Sequence, residues 1–144
     1  MNERRPVFVD TWGWLAFGHR RDPHHEEVRT YIEQATEEQV PLYTTEYVLD
    51  ETITLVFQRE HFEEARAFIG GLLQAVETGE LRMERITSQR FEAAWTLRQK
   101  FQDKPDISFT DLTSMAVMRE LELIRVLTGD AHFEHVGFDF QRVP

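Results

Sequence analysis

Short β-rich runs alternate with longer helical stretches along the 144 residues, and that alternation leaves few folds open to the chain. Pro6-Val7-Phe8-Val9 is a continuous apolar run with the character of a strand buried on both faces. Asp22-Pro23 reads as a helix cap followed by proline at the first helical position, and Val28, Tyr31, Ile32 and Ala35 follow at helical spacing. Pro41 to Thr44 is a second candidate strand. From Thr45 a helix carries Val48, Leu49, Thr52, Ile53, Leu55 and Val56. Phe62, Ala65, Ile69, Leu72 and Val76 step by three and four, which predicts another helix ending near Gly79. Leu81 to Ile86 alternates apolar and charged residues, as a half-exposed strand toward a sheet edge does.

Ser88 is placed to cap a helix holding Phe91, Ala94, Trp95 and Phe101, and Gln102 to Ser108 reads as a polar loop around Pro105. Ser108 or Thr110 opens a helix through Leu112, Met115, Ala116 and Met118. Ile124 to Thr128 and Phe138 to Val143 are the last strand candidates. Strands alternating with helices predict parallel βαβ units with helices on both faces of the sheet. Sheets of that kind bind ligands in a crevice outside the carboxyl ends of their strands.

The length suits a single domain over residues 1–144, and there is no repeat, low-complexity tract or linker. Cysteine is absent, which excludes a disulfide framework, a thiolate metal site and a cysteine nucleophile. Met1 to Arg5 is polar and charged rather than a secretory signal, and no apolar run is long enough to span a membrane. A cytoplasmic protein with no membrane partner is expected. With 16 Lys+Arg against 26 Asp+Glu, the formal net charge is −10. Binders of nucleic acid are usually basic. A polyanion could therefore be handled here only through a local basic patch or a bound cation.

Two acids belong on the sheet rim: Asp10 follows Val9 directly, and Asp130, after Gly129, follows the Ile124–Thr128 run by two residues. Asp111 lies in a first helical turn, three residues after Ser108. Glu51 lies one turn beyond Val48 and one before Leu55, on or beside an apolar face where an unpaired carboxylate is costly. Four acids on one rim would raise one another's pKa unless a cation neutralised them. An all-oxygen set favours Mg²⁺ or Mn²⁺ over zinc. Each acid also has a structural reading. Asp111 fits a capping box with Ser108, Asp130 a turn after Gly129, Asp10 a cap on the following helix, and Glu51 the acidic side of a helix that also holds Glu46 and Asp50.

The strings around these acids occur in one order: Val7-Phe8-Val9-Asp10-Thr11, Thr45 to Thr52, Ser108-Phe109-Thr110-Asp111, and Leu127 to Phe133. Together they resemble the PIN-domain ribonucleases, in particular the VapC-like toxins of bacterial and archaeal toxin–antitoxin pairs. The resemblance runs from Val7 to Phe138. It implies a three-layer α/β/α sandwich around a parallel sheet of about five strands. It also implies a catalytic, metal-binding set of Asp10, Glu51 (with Asp50 as the neighbouring alternative), Asp111 and Asp130. Ser108 and Thr110 match hydroxyl residues that orient this set in relatives. Asp106 falls near a variable acidic position that acts through water. His132 follows Asp130 as in many relatives, and a surface or packing role is its default reading.

The activity implied is Mg²⁺- or Mn²⁺-dependent endonucleolytic cleavage of RNA, often a structured RNA such as tRNA, leaving 5′-phosphate and 3′-hydroxyl ends. The partners implied are a cognate antitoxin with a basic segment and a second copy of the chain in a homodimer. Arg20, Arg21, Arg59 and Lys104 flank the acidic segments and are candidates for holding RNA. Trp12 and Trp14 are candidates for stacking on bases, with core or dimer packing as the alternative. One rival reading is a PIN-like module that binds RNA or protein without cutting. The other is a phosphate-handling α/β enzyme, but Asp10-Thr11-Trp12 lacks the second aspartate of an aspartyl-phosphate phosphatase, and no acid pair matches a signalling receiver.

Overall fold

The computed structural model describes residues 5–144, so the polar start lies outside the described residues apart from Arg5. The strands are β1 (Val7–Val9), β2 (Leu42–Thr45), β3 (Leu81–Glu84), β4 (Arg125–Leu127) and β5 (Gln141–Val143). The helices are α1 (Thr11–Gly18), α2 (His25–Glu37), α3 (Glu46–Arg59), α4 (Phe62–Thr78), α5 (Ser88–Lys100) and α6 (Phe109–Glu120), with a 3₁₀ turn over Ala131–Glu134. All strand pairings are parallel, in the order β3-β2-β1-β4-β5. The chain runs outward from β1 through β2 to β3, then returns to place β4 on the other side of β1. Crossovers between parallel strands are right-handed in nearly all proteins, so this reversal puts helices on both faces. The result is a three-layer α/β/α sandwich.

The central strands are buried as their unbroken apolar composition requires: Val7, Phe8, Val9, Val126 and Leu127 have no exposed surface. The charged alternation of β3 puts it at one sheet edge, with Leu81 buried and Arg82 exposed. Helix α6 is buried at every position from Asp111 to Met118 and packs against α5 and α3. Helix α1 reads Thr-Trp-Gly-Trp-Leu-Ala-Phe-Gly and has no polar face at all. Gly13 lets it settle on the sheet. A Cβ there would lie 2.6 Å from Leu127 Cδ2 and 2.9 Å from the Leu127 carbonyl oxygen. Among the described residues no helix is long and apolar enough to cross a membrane.

Several boundaries differ from the sequence expectation, each for a local reason. Helix α2 starts at His25, because the Asp22 carboxylate accepts from the His24 N–H and closes a turn ahead of the helix. Helix α5 is capped by Thr87, whose hydroxyl accepts from the Arg90 N–H, so Ser88 is its first residue. Strand β3 stops at Glu84 and β4 covers only Arg125–Leu127. Strand β5 begins at Gln141, since Asp139 takes a positive φ of 63° and breaks the extended run. Phe138 and Phe140 before it join an aromatic cluster with Phe101 and Phe133.

Candidate functional site

Strands β1 and β4 lie side by side, yet their onward connections leave in opposite directions. That is the topological switch point at which open α/β sheets place their ligand crevice. The register pairs Val9 with Leu127, so the next residues, Asp10 and Thr128, emerge together at the carboxyl rim. Asp10 caps α1, its carboxylate accepting from the Thr11 N–H. Its second oxygen accepts from the Thr128 hydroxyl at 2.6 Å. That hydroxyl also accepts from the Asp130 N–H at 3.0 Å, so one side chain ties two acids together. Asp130 caps the 3₁₀ turn by accepting from the His132 N–H at 2.8 Å.

Asp111 reaches the same rim from the opposite layer. Ser108 caps α6 by accepting from the Asp111 N–H at 3.0 Å, which sets this aspartate in the first turn. A helix N-terminus favours a negative charge. Even so, the Asp111 carboxyl is pushed up to about 8, first by burial and then by the charges of Asp10, Asp130 and Glu51. The Asp10 carboxyl is pushed up to about 6, again mainly by burial, with Asp130 and Glu51 adding to it against the hydrogen bonds from Thr128 and Thr11. Acids from four separate segments therefore bear on this rim, with the charges of Glu51 and Asp130 reaching both Asp10 and Asp111.

The contributions differ in kind. Asp10 is 3 % exposed and both its oxygens are engaged. Glu51 is half-buried on α3 and its charge bears on both Asp10 and Asp111, whereas Asp50 beside it is exposed. Thr110 is half-buried, and its carbonyl accepts from the Thr113 hydroxyl. Asp106 is exposed on the loop before α6 and is not among the charges acting on Asp10 or Asp111.

Two residues carry more of this site than the sequence indicated. Thr128 was visible only as the polar end of a buried strand. His132 projects its Nδ1 to 3.1 Å from Asp130 Oδ1 and 3.9 Å from Asp111 Oδ2. One atom from each of Asp111, Asp130 and His132 lies within 4.8 Å of the others, close enough to share a metal ion. Among the described residues, three buried side-chain polar atoms lack a hydrogen-bond partner: Thr11 Oγ1, Ser114 Oγ and His132 Nδ1. All three neighbour the acids in the chain, following Asp10 by one residue, Asp111 by three and Asp130 by two. Buried orphans of this kind call for an explanation, and an ion with its waters is one. Carboxylates with one imidazole form a donor set that fits a divalent cation.

The tryptophans part company. Trp14 is a core residue, 2 % exposed, and its ring N–H donates to the Thr44 hydroxyl at 3.2 Å. Trp12 is half-buried and lies over Gly129, where an added Cβ would come within 2.3 Å of its ring. Of the cationic candidates, Arg20, Arg21 and Arg59 are exposed, while Lys104 pairs with Asp103 at 2.9 Å.

The PIN domain family matches residues 7–139, from the first residue of β1 to the turn before β5. The chain belongs to the PIN-domain family. Among PIN-domain proteins it is 33 % identical, over 132 residues, to the 23S rRNA-specific endonuclease VapC20 of Mycobacterium tuberculosis. That match covers 92 % of this chain and 95 % of the relative. The crystal structure of VapC20, a sarcin–ricin loop cleaving toxin, has a TM-score of 0.74 at 30 % identity, again over 92 % and 95 % of the two chains. The DNA-bound VapBC of Salmonella typhimurium has a TM-score of 0.70 at 14 % identity, covering 96 % of this chain and 97 % of that one. VapBC2 of Rickettsia felis has a TM-score of 0.72 at 12 % identity, covering 96 % and 98 %. These last two share the PIN fold.

Proposed function

We propose that the chain is a divalent-metal-dependent endoribonuclease, the toxin half of a toxin–antitoxin pair, with Asp10, Glu51, Asp111 and Asp130 as its catalytic, metal-holding residues. The observation that supports this reading is that Asp111 and Asp130 stand close enough to share an ion, while Thr128 ties Asp10 to Asp130 and the charge of Glu51 bears on both Asp10 and Asp111. Burial and the neighbouring acids both raise Asp10 and Asp111, and a bound cation would offset the mutual repulsion.

In this reading Mg²⁺ or Mn²⁺, when bound, supplies an acidified water, a polarised phosphoryl oxygen and a neutralised leaving group. The protein supplies position. Thr128 and the Thr11 N–H hold Asp10 in one orientation, as outer-shell hydrogen bonds do for metal ligands. Ser108 sets Asp111, and the 3₁₀ turn sets Asp130. Ser108 and Thr110 support the acids from α6, and Asp106 acts through water at the loop edge. The oxygen of water bonds to phosphorus as the bond to the 3′ oxygen breaks, and the departing oxygen takes a proton. The products end in 5′-phosphate and 3′-hydroxyl.

VapC20 cuts 23S rRNA, and its likeness to this chain makes a folded ribosomal RNA loop the first substrate to test, with tRNA as the comparison. Arg20, Arg21 and Arg59 are exposed to meet the phosphate backbone. An antitoxin with a basic segment complements the −10 chain. The protein works in the cytoplasm, as a homodimer. Purified protein is to be incubated with ribosomal RNA and tRNA in Mg²⁺ or Mn²⁺, then in chelator, beside an Asp10→Asn variant shown to be folded. Cleavage only by wild type with metal, leaving 5′-phosphate ends, is expected. Cleavage that persists in chelator or in the variant overturns the metal reading. RNA bound but never cut returns the chain to the class of binding modules.

A further inference from the structure

We infer that His132 is a metal ligand through Nδ1, and that it gives this site its preference for Mn²⁺ over Mg²⁺. The inference rests on the metal-dependent reading above and goes beyond the all-carboxylate set the sequence suggested. Three observations carry it. The Nδ1 atom is buried and has no hydrogen-bond partner, although Asp130 Oδ1 is 3.1 Å away, so the ring is not aligned on that oxygen as a donor. A ring fixed in place to position Asp130 would be expected to donate to it. Nδ1 also stands 3.9 Å from Asp111 Oδ2, so it faces the space shared by the two carboxylates.

Adjacent donors around an octahedral ion with bonds of ~2.1 Å lie about 3.0 Å apart, and opposite donors about 4.2 Å. The two separations here fall in that span. Finally, the backbone fixes the point from which the ring, 32 % exposed, extends toward the acids. The His132 N–H is bound by the Asp130 carboxylate, in a 3₁₀ turn anchored by the fully buried Phe133.

Ligand chemistry turns this geometry into selectivity. Mg²⁺ is hard, exchanges oxygen for nitrogen poorly and keeps its waters. First-row transition ions accept imidazole more readily, and Mn²⁺ opens that series. An imidazole nitrogen among the ligands therefore adds more affinity for Mn²⁺ than for Mg²⁺.

The test uses the full chain loaded with Mn²⁺ and reads ¹⁴N coupling by pulsed electron paramagnetic resonance. Mn²⁺ and Mg²⁺ affinities are measured by titration calorimetry on wild type, His132→Ala and His132→Gln, with circular dichroism confirming each fold. Asp111→Asn serves as the control that weakens both ions together. The expected result is a directly coordinated imidazole nitrogen in wild type that both His132 variants lose. Mn²⁺ affinity then drops at least about tenfold, while Mg²⁺ affinity stays within about threefold. Mn²⁺ bound to wild type without nitrogen coupling, or equal losses for both ions in the His132 variants, overturns the inference and leaves the metal site standing. Failure of wild type to bind either ion overturns the metal site as well. The wild-type spectrum decides the ligation question even if one variant does not fold.

Discussion

At the scale of single residues, the site is a set of charges the protein holds at a cost. The Asp111 carboxyl is raised from 3.8 to about 8, so the folded chain binds that proton more tightly than the unfolded chain does. Its contribution to stability is therefore complete below pH 4 and is lost as pH rises through about 8. In chelator, Asp111→Asn should unfold at a higher temperature than wild type at pH 8–9, and the gap should close toward pH 4. Scanning fluorimetry across pH checks this, and a gap that widens at low pH would contradict it. Thr128 is the complementary case. Thr128→Val removes the donor to Asp10 and the acceptor for the Asp130 N–H. A cost of about 1–3 kcal/mol is expected from the unpaired groups, together with a 10–100-fold loss of metal affinity. Equilibrium unfolding in urea and calorimetric titration with Mn²⁺ read the two effects separately.

At this scale the sequence was legible where a residue stood at the end of a strong element. Asp10 follows a buried strand directly, Asp130 comes just beyond another, and Ser108 with Asp111 has the spacing of a cap. Thr128 and His132 were not legible as site residues, because their partners lie across the strand pairing or two residues along a tight turn. Nothing in local spacing says which hydroxyl faces a neighbouring strand. Trp14 illustrates the same point in reverse, since only packing shows its ring committed to Thr44.

At the scale of elements, β1, α1 and β4 form the structural seat of the site. Helix α1 begins at the carboxylate of Asp10 and lies so close to β4 that Gly13 has no room for a side chain. Gly13→Ala should destabilise the protein by about 1–3 kcal/mol, because the clash falls partly on the Leu127 backbone, which cannot swing aside. Urea midpoints test this, and an unchanged midpoint would show that α1 is free to shift. Periodicity found the helices that have one wet face, such as α2, α3 and α4. It gave no outline for α1, which has no polar side, and it overran β5, where Asp139 turns the chain. Amphipathic pattern reports a boundary with water, and these segments have little such boundary to report.

At the scale of the whole molecule, the excess of ten acidic charges and the acidic crevice pose one electrostatic problem. Divalent cations should relieve it, since an ion that binds the folded state alone stabilises it by mass action. Saturating Mn²⁺ should raise the melting temperature more at pH 8 than at pH 5, where protons compete for Asp10 and Asp111. Monovalent salt at matched ionic strength provides the control. A uniform rise with any salt would point to general screening rather than a site. Parallel βαβ units and a crevice at the carboxyl rim were within reach of the sequence because strands and helices alternate so regularly, whereas the strand order and its switch point were not. The meeting of α3, α6 and the β4 turn around Asp10 needed the coordinates.

The measurement that bears most directly on this account is calorimetric titration of Mn²⁺ into wild type and into Asp10→Asn, Glu51→Gln, Asp111→Asn and Asp130→Asn, each shown to be folded. One saturable site in wild type, weakened at least about tenfold by every substitution, is the predicted result. Binding as tight as wild type in Asp10→Asn and Asp111→Asn would contradict it, because the converging acids would then hold no common ion.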